Sequence, residues 1–546
     1  MIWRIGEVNA PAERRPTAKQ TSLEGGYIAP IIAQTRIRLR PWQFQGATAI
    51  LSNEKTNPKT ADHLILKLGV VGFQEAKVMS RVRARLLKGF RDSLPGEELR
   101  RGRLIRLLEK HFASHGYLPI DTPALEYADI LLSKGGGETD KQCYRFIDGG
   151  GRDVALRFDL TVPLARFVAS HRAELTMPFR RCHVAKVWRG ENTQRGRFRE
   201  FIQCDFDIVG PDSAGADLEV MLMTIEGLSL IGGGPVKLRF SHQGLFNLLL
   251  DGMGLAGNRV SVLRAVDKIG KIGSDGVQRI LADLVGMREA DAILDFIAPG
   301  ADNEKTLEKM LQCIKKVSRG RVAGALETEG RERRSDTGEQ ETHELPEALR
   351  VSMILNAFDK LKLGDVLLLD PSITRGLDYY TGIVFEAFLE NLPGIGAVCS
   401  GGRYDDLAGL FQREPISGVG ASIGLDRLLA GLKELGINED TERNTDLLVL
   451  MLDEAFLGDY QGFARDFREL GLSVEVYPES KRLEAQFRHA QAGGIPFALL
   501  YGPREAKIGK VVLKDLRSRK SFEPLSMSEA QSKLISLLGG GAAWAK

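Results

Sequence analysis

The chain of 546 residues is 43% hydrophobic and 27% charged, too long for one ordinary core and balanced like a soluble globular protein of two or three domains. No apolar run approaches the ~20 residues a membrane helix needs. The 75 basic and 72 acidic side chains leave a net charge of only +3, which excludes a globally basic nucleic-acid binder and leaves local basic patches as the electrostatic route to one. Five scattered cysteines, Cys143, Cys182, Cys204, Cys313 and Cys399, form neither a C-x-x-C pair nor a zinc spacing and are read as free thiols in a reducing cytoplasm.

Residues 1–78 show no sustained helical or strand period apart from a short apolar stretch at His63–Val71. Acidic residues such as Glu7, Glu13, Glu24 and Asp62 argue against an organelle transit peptide, and no signal-type apolar core follows the start. Residues 1–82 are therefore expected to form a poorly structured extension, or to reflect a mis-assigned start upstream of Met79. After L-K-G-F-R-D-S-L-P-G-E at Leu87, the residues Leu99, Leu104, Ile105, Leu107, Leu108 and Phe112 recur at helical spacing, with Ser93 or Asp92 as N-cap. Gly116 ends that helix and leads into Y-L-P-I-D-T-P, closing at Pro123.

In D-V-A-L-R-F-D-L-T-V-P, Leu156, Phe158, Leu160 and Val162 alternate with Arg157, Asp159 and Thr161. The pattern predicts a strand with one buried face and one polar row, after which Pro163 opens a helix. The stretch Lys186–Gly210, K-V-W-R-G-E-N-T-Q-R-G-R-F-R-E-F-I-Q-C-D-F-D-I-V-G, reads as two strands around a polar loop containing Gly190 and Gly196. Phe198, Ile202, Cys204, Phe206 and Ile208 share the buried face of the second strand. Arg197, Arg199, Phe201, Gln203, Asp205 and Asp207 share the other. Charges and amides around one aromatic ring suit a ligand floor better than a core, and a ring beside arginines is what stacking on a purine requires. A solvated basic hairpin would explain the arginines but neither Phe201 nor the two aspartates.

The region from Gly232 to Asp370 is more helical. Within it Glu327–Leu345 is polar and unpatterned and is expected to be a mobile loop or linker. T-R-G-L-D-Y-Y-T-G-I-V-F-E, Thr374 to Glu386, fixes an arginine, an aspartate and two tyrosines at the mouth of a predicted strand, as a capped hairpin turn or as a site for a small polar ligand. After C-S-G-G-R-Y-D-D-L (Cys399–Leu407), the glycines of S-G-V-G-A-S-I-G-L-D-R-L-L precede a helix with Leu425, Leu428, Leu429 and Leu432 on one face. Arg427 then lies in its first turn, at the positive end of the helix dipole.

The last ~100 residues form a unit of domain size. Strands at Leu447–Leu452, Leu472–Tyr477, Pro496–Leu500 and Val511–Leu513 alternate with helices at Tyr460–Leu470 and Lys481–Ala492, and a last helix runs from Ser526. The order predicts a small parallel α/β sheet with helices on both faces, and Lys507, Lys510, Lys514, Arg517 and Arg519 supply a local basic stretch.

R-G-L-D-Y-Y-T-G resembles the peptide peculiar to histidyl-tRNA synthetases. The first helix with the segment after it that closes at Pro123, the Lys186–Gly210 stretch and the glycine-to-helix turn at Arg427 resemble the three motifs of class II synthetases, in the expected order from Leu87 onward. The resemblance implies an α+β catalytic core over 83–436, with an antiparallel sheet and a helical insertion at about 255–360, followed by an α/β anticodon-binding domain over 444–546. It implies ATP-dependent activation of L-histidine and transfer to tRNA(His), with Mg²⁺ bound on the ATP, no protein metal site, a homodimer and a cytoplasmic location. By carry-over, Arg189 grips the α-phosphate, Arg375 bridges it and the histidine carboxylate, Phe201 stacks on adenine, Arg427 holds the γ-phosphate, and Glu191 and Arg197 join the ATP site. Asp159, Thr161 and Gln203 receive the α-ammonium group, Leu160 also joins the histidine site, and Asp207 and Tyr380, with Tyr379 nearby, address the imidazole. The alternative implied by the resemblance is a catalytically idle regulatory subunit of histidine biosynthesis, relatives of which lack the C-terminal domain. A non-enzymatic RNA-binding protein with a synthetase-like domain is a further alternative.

Overall fold

The computed structural model describes residues 83–132, 142–193, 196–329, 345–374, 380–405, 409, 411, 415–437 and 444–539, with the side chains of 319–329 excepted. Residues 1–82, most of Glu327–Leu345, and both Arg375 and Tyr379 thus lie outside the described residues. Chain contacts separate Met1–Arg85 from Leu86–Lys546, and every described helix and strand belongs to the second unit.

The first helix of that unit, α1 (Pro95–Ser114), buries Leu104, Leu108 and Phe112 as the spacing predicts. The cap differs from expectation. Leu94 occupies the N-cap position, where its apolar side chain has no acceptor to offer, and Pro95 follows at the first turn with no N–H of its own to satisfy; Ser93 instead accepts from Arg101 Nη1 at 2.8 Å. After β1 (Leu118–Pro119), a three-stranded sheet pairs β2 (Leu125–Tyr127) and β3 (Arg145–Ile147) on either side of β4 (Asp153–Leu156), with helix α2 (Ala128–Leu132) between the first two in sequence. The strand expected to run to Val162 stops at Leu156, and α3 begins at Thr161 and runs to Ser170. Arg157 explains the stop. Rather than joining a solvated row it is buried, donating from Nε to Lys186 O at 3.0 Å and from Nη1 to Thr122 O.

The main sheet is built on β5 (Phe179–Trp188) and β6 (Glu200–Gly210), with β7 (Val236–His242), β8 (Leu367–Leu369), β9 (Ile383–Leu389), β10 (Cys399–Tyr404) and β11 (Ser417–Gly424). The strand order is β1-β5-β6-β11-β10-β9-β7-β8. Pairing is antiparallel except at the two edges, β1 with β5 and β7 with β8. One face of β6, with Cys204, Phe206 and Ile208, is buried under α1 and α4 (Ala214–Ile231). The Phe206 ring lies 4.9 Å from that of Phe112, and burial of such a side chain stabilises by about 1.5–3 kcal/mol. Ser213 caps α4 by accepting from Ala216 N, and Gly232, at φ 78°, ends it in the left-handed conformation.

Between β7 and β8 the chain is helical: α5 (Gln243–Gly252), α6 (Arg259–Val266), α7 (Ile269–Val285), α8 (Met287–Ile297), α9 (Asn303–Glu329) and α10 (Pro346–Lys360). Since α9 continues to Glu329, the first residues expected to be loop are helix. Helix α11 (Leu425–Glu434) follows β11 directly and buries Leu425, Leu428 and Leu432.

The C-terminal unit has β12 (Leu447–Val449), α12 (Leu457–Glu469), β13 (Val474–Val476), α13 (Leu483–Ala492), β14 (Phe497–Leu500), α14 (Pro503–Ile508), β15 (Val512–Asp515), β16 (Lys520–Ser521) and α15 (Met527–Leu537). One sheet face packs Leu447, Val449, Phe497 and Leu499 against Tyr460, Phe467 and Leu534, and the other packs Leu448, Leu450 and Ala498 against Ala490. Helices on both faces match the expectation. The sheet, however, is mixed: β13, β12 and β14 are parallel, whereas β15 and β16 run antiparallel. The short α14 ends at Gly509, at φ 61°, and turns the chain straight back, since a parallel partner would need a longer crossover.

Candidate active site

Because side chains alternate along a strand, Phe201, Gln203, Asp205 and Asp207 share one face of β6, and that face floors a cleft of about 340 Å³. Register across the sheet sets His183, Asp205, Ser422, Ser400 and Glu386 in one row and Arg181, Asp207, Gly420 and Gly402 in the next. Glycine is required in the second row and at Gly418, two residues further along β11 opposite Tyr404. A β-carbon on Gly420 would collide with Asp207 Oδ1, one on Gly402 would fall 2.8 Å from Tyr380 Cδ1, and one on Gly418 would collide with the Tyr404 ring. The bare backbone of β10 and β11 therefore makes the space in which Asp207, Tyr380 and Tyr404 converge. Asp207 Oδ1 accepts from Tyr404 Oη at 2.7 Å, while its Oδ2 lies 2.6 Å from Arg181 Nη2 as an ion pair outside hydrogen-bond alignment.

Phe201 and Asp207 lie six positions apart, about 20 Å along the strand, and the chemistry changes over that distance. At the Phe201 end, Arg189 lies over the ring with its guanidinium carbon 5.2 Å from the centroid, and Arg189 Nε donates to Phe158 O at 2.9 Å. That bond, with Trp188 N to Arg157 O at 3.0 Å, stitches the Arg157–Leu160 loop, which carries the cleft residue Asp159, to the end of β5. Arg197 and Glu191 form an ion pair at 3.5 Å. Arg427, in the first turn of α11, donates to Ala397 O. Its neighbour Asp426 is buried and ties three segments together: Oδ1 pairs with Arg91 at 2.5 Å and Arg101 at 3.1 Å, and Oδ2 accepts from Ile202 N at 2.8 Å.

The Asp207 end is acidic and dry. Burial pushes the Asp207 carboxyl above its ordinary range, against the pull of Arg181 and Tyr404. It pushes the Tyr404 phenol well up too, with the Asp207 charge adding to the effect. His183, held down to about 4 by burial and by the charges of Arg181 and Arg157, is neutral.

Of the residues expected in a site, Asp159, Thr161, Gln203, Asp207, Tyr380, Arg189, Glu191, Arg197, Phe201 and Arg427 all line this one cleft. Leu160 does not; its side chain is fully buried in the core. Sequence reading gave no role to Tyr404, Ser422 or Asp426, which also line the cleft, or to Arg181 beneath it. Tyr404 had a signal, since it ends a glycine-rich strand. Arg181 had none, because its partner is set by strand register. Among the described residues one trio has its possible metal-ligating atoms close together, His111, His115 and Glu226. None lines the cleft, and each has a partner: His111 Nε2 meets Met223 O at 3.1 Å, and His115 Nε2 meets Glu226 Oε2 at 3.1 Å.

A family profile described as histidyl-tRNA synthetase matches residues 89–428, and one described as anticodon binding domain matches 446–537. The chain is 43% identical over 461 residues to the histidine–tRNA ligase of Treponema denticola, covering 83% of this chain and 98% of that protein. It is 40% identical over 456 residues to that of Rhodopirellula baltica, covering 83% and 98%. Among solved structures, the histidyl-tRNA synthetase from Nostoc sp. PCC 7120 superposes with a TM-score of 0.69 at 27% identity, covering 84% of this chain and 100% of that one.

Proposed function

The chain belongs to the histidyl-tRNA synthetase family, and we propose that it is a histidine–tRNA ligase, joining L-histidine to ATP as histidyl-adenylate with release of pyrophosphate and passing the histidyl group to the 3′ end of tRNA(His). The observation that carries this reading is the two-ended cleft on β6, with arginines and Phe201 at one end and a buried Asp207–Tyr404 pair at the other. Attack of one anion, the histidine carboxylate, on another, the α-phosphate, is the central obstacle, and fixed arginine forks answer it. In this reading Arg189 and Arg375 hold the α-phosphate, Arg375 also holds the carboxylate, Phe201 stacks on adenine, and Arg197 and Arg427 take the outer phosphates, with Glu191 orienting Arg197. Asp159, Thr161 and Gln203 receive the α-ammonium group, and Asp207 with Tyr379, Tyr380 and Tyr404 brackets the imidazole. Two ring nitrogens then need two placed partners, which rejects isosteres lacking them. Mg²⁺ prefers oxygen donors, and the cleft carboxylates Glu191 and Glu386 fit it; bound on the ATP it would neutralise phosphate charge.

The regulatory-subunit alternative is disfavoured by the C-terminal α/β domain and by the ligase relatives that span nearly their whole length on this chain. We assign residues 444–546 to tRNA binding, residues 83–436 to chemistry with the helices of about 255–360 as an insertion, and residues 1–82 to an extension outside both. A chain ending at Arg443 is expected to keep histidine-dependent pyrophosphate exchange within a few-fold while losing most tRNA charging. Equal loss of both in a folded truncation would contradict the assignment.

A homodimer is supported by the apolar side chains of Leu118, Leu125, Tyr127, Phe146 and Ile147, exposed on β1 and the small sheet. Sedimentation should give twice the chain mass; a monomer at micromolar concentration would count against it. A cytoplasmic location follows from the reaction proposed, and no helix of the described residues is long and apolar enough to cross a membrane.

A further inference from the structure

Among the described residues, three acceptor oxygens on the cleft floor make no hydrogen bond, Gln203 Oε1, Asp205 Oδ1 and Asp207 Oδ2; the last is ion-paired with Arg181 at 2.6 Å, which leaves Asp205 Oδ1 and Gln203 Oε1 as the unpartnered pair. Both residues line the cleft, and Asp205 is only 2% exposed and Gln203 7%. The Gln203 amide is anchored by its nitrogen, which donates to Ser422 Oγ, and Ser422 stands opposite Asp205 in the sheet register. The two unmade oxygens thus belong to one cluster. An acceptor buried without a donor costs about 1–3 kcal/mol, so a pair of them marks the seat of a ligand group rich in N–H bonds.

The charge count points the same way. Arg181, fully buried, is the guanidinium beneath both Asp205, with Oδ2 4.0 Å away, and Asp207, 2.6 Å away. Two buried guanidiniums act on Asp205: Arg181, which it shares with Asp207, and Arg157, which already donates to Lys186 O and Thr122 O. From the other elements around Asp205 come neutral His183 on β5, uncharged Ser422 on β11 and a further carboxylate, Asp159, ahead of α3. Among the described residues, Arg181 and Arg157 thus stand against three carboxylates, Asp205, Asp207 and Asp159, and the cluster is one positive charge short.

We propose that Asp205 is a substrate-contacting carboxylate of the amino-acid subsite, its Oδ1 receiving the α-ammonium group together with Gln203 Oε1. The inference rests on the ligase reading and adds a residue to it. Burial raises the Asp205 carboxyl to about 7, with Arg181 opposing and Asp207 and Asp159 adding, so near neutral pH the empty site holds a proton there in part of the molecules. An ammonium group has three donors and no acceptor and cannot bond that O–H. The proton leaves to solvent as the cation enters, and the ion pair replaces it. Affinity for histidine therefore rises with pH through about 7 and flattens above it.

The test uses the full chain and Asp205→Asn, which keeps the shape and removes the charge. The Michaelis constant for histidine in pyrophosphate exchange should rise at least tenfold while that for ATP stays within twofold. Calorimetry of histidine binding in buffers of different ionisation heat, from pH 6 to 8, should show fewer protons released by Asp205→Asn than by the parent, the titration of histidine itself being common to both. Should the variant not fold, infrared difference spectra of the parent at pH 6.5 serve instead, and histidine should remove a protonated-carboxyl band. A histidine constant within twofold of the parent, equal proton counts, or no loss of that band would overturn the proposal. If histidine does not bind the parent at all, the ligase reading itself falls.

Discussion

Arg189→Ala is expected to slow adenylate formation at least a hundredfold while leaving the fold intact. The side chain is held by a bond from Nε to Phe158 O at 2.9 Å and by the Phe201 face, which leaves the terminal edge of the guanidinium for phosphate. A charge-assisted hydrogen bond contributes about 1.5–3 kcal/mol, and each 1.36 kcal/mol is a factor of about ten in rate. Two bonds that tighten as charge shifts on the α-phosphate therefore reach about a hundredfold or more. Arg189 is only half-buried, so its removal opens no core cavity, and the melting temperature should move by no more than a few degrees. Arg189→Lys should rescue poorly because one ammonium cannot reproduce a planar fork. Rapid-quench single-turnover measurement of adenylate decides the matter; a rate within threefold of the parent would remove Arg189 from the chemistry.

Gly420→Ala should be nearly as damaging by a different route. The added methyl would occupy space now filled by Asp207 Oδ1 and Cγ, and would also press on Phe206 O at 2.9 Å. Backbone cannot give way there, since β11 is paired on both sides, so the carboxylate must swing and release both Tyr404 and Arg181. Overpacking of this kind costs about 1–3 kcal/mol of stability, leaving a folded protein in which Asp207, proposed to meet the imidazole, is misplaced. The specificity constant for histidine should fall about a hundredfold or more, with ATP affinity changed only a few-fold because Phe201 and Arg189 lie at the far end of the strand. Loss of ATP and histidine binding in equal measure would mean that the floor serves general packing and not the amino acid.

The period-2 pattern of β6 was legible because its polar face alternates with Cys204, Phe206 and Ile208, and the seated cleft residues follow from it. Other features were illegible for physical reasons. The strand reading of Asp153–Val162 failed because Arg157 looks like a solvated residue in sequence, whereas its guanidinium is satisfied by Lys186 O and Thr122 O from distant segments. The parallel reading of the C-terminal sheet failed at α14, a six-residue helix too short to produce a clear helical period. The Arg181–Asp207 pair and the clasp of Asp426 on Arg91, Arg101 and Ile202 join residues far apart in the chain, and only tertiary register brings them together.

The most direct measurement is amino-acid-dependent exchange of labelled pyrophosphate into ATP by the purified chain, with each of the twenty amino acids supplied separately and no tRNA present. A histidine–tRNA ligase built on this cleft should give exchange with histidine alone, at least a thousandfold above glutamine or phenylalanine, as expected where a ligand lacking the bonding groups leaves buried polar partners unmade. Absence of exchange with histidine, or exchange of similar rate with an amino acid lacking the imidazole, would contradict it.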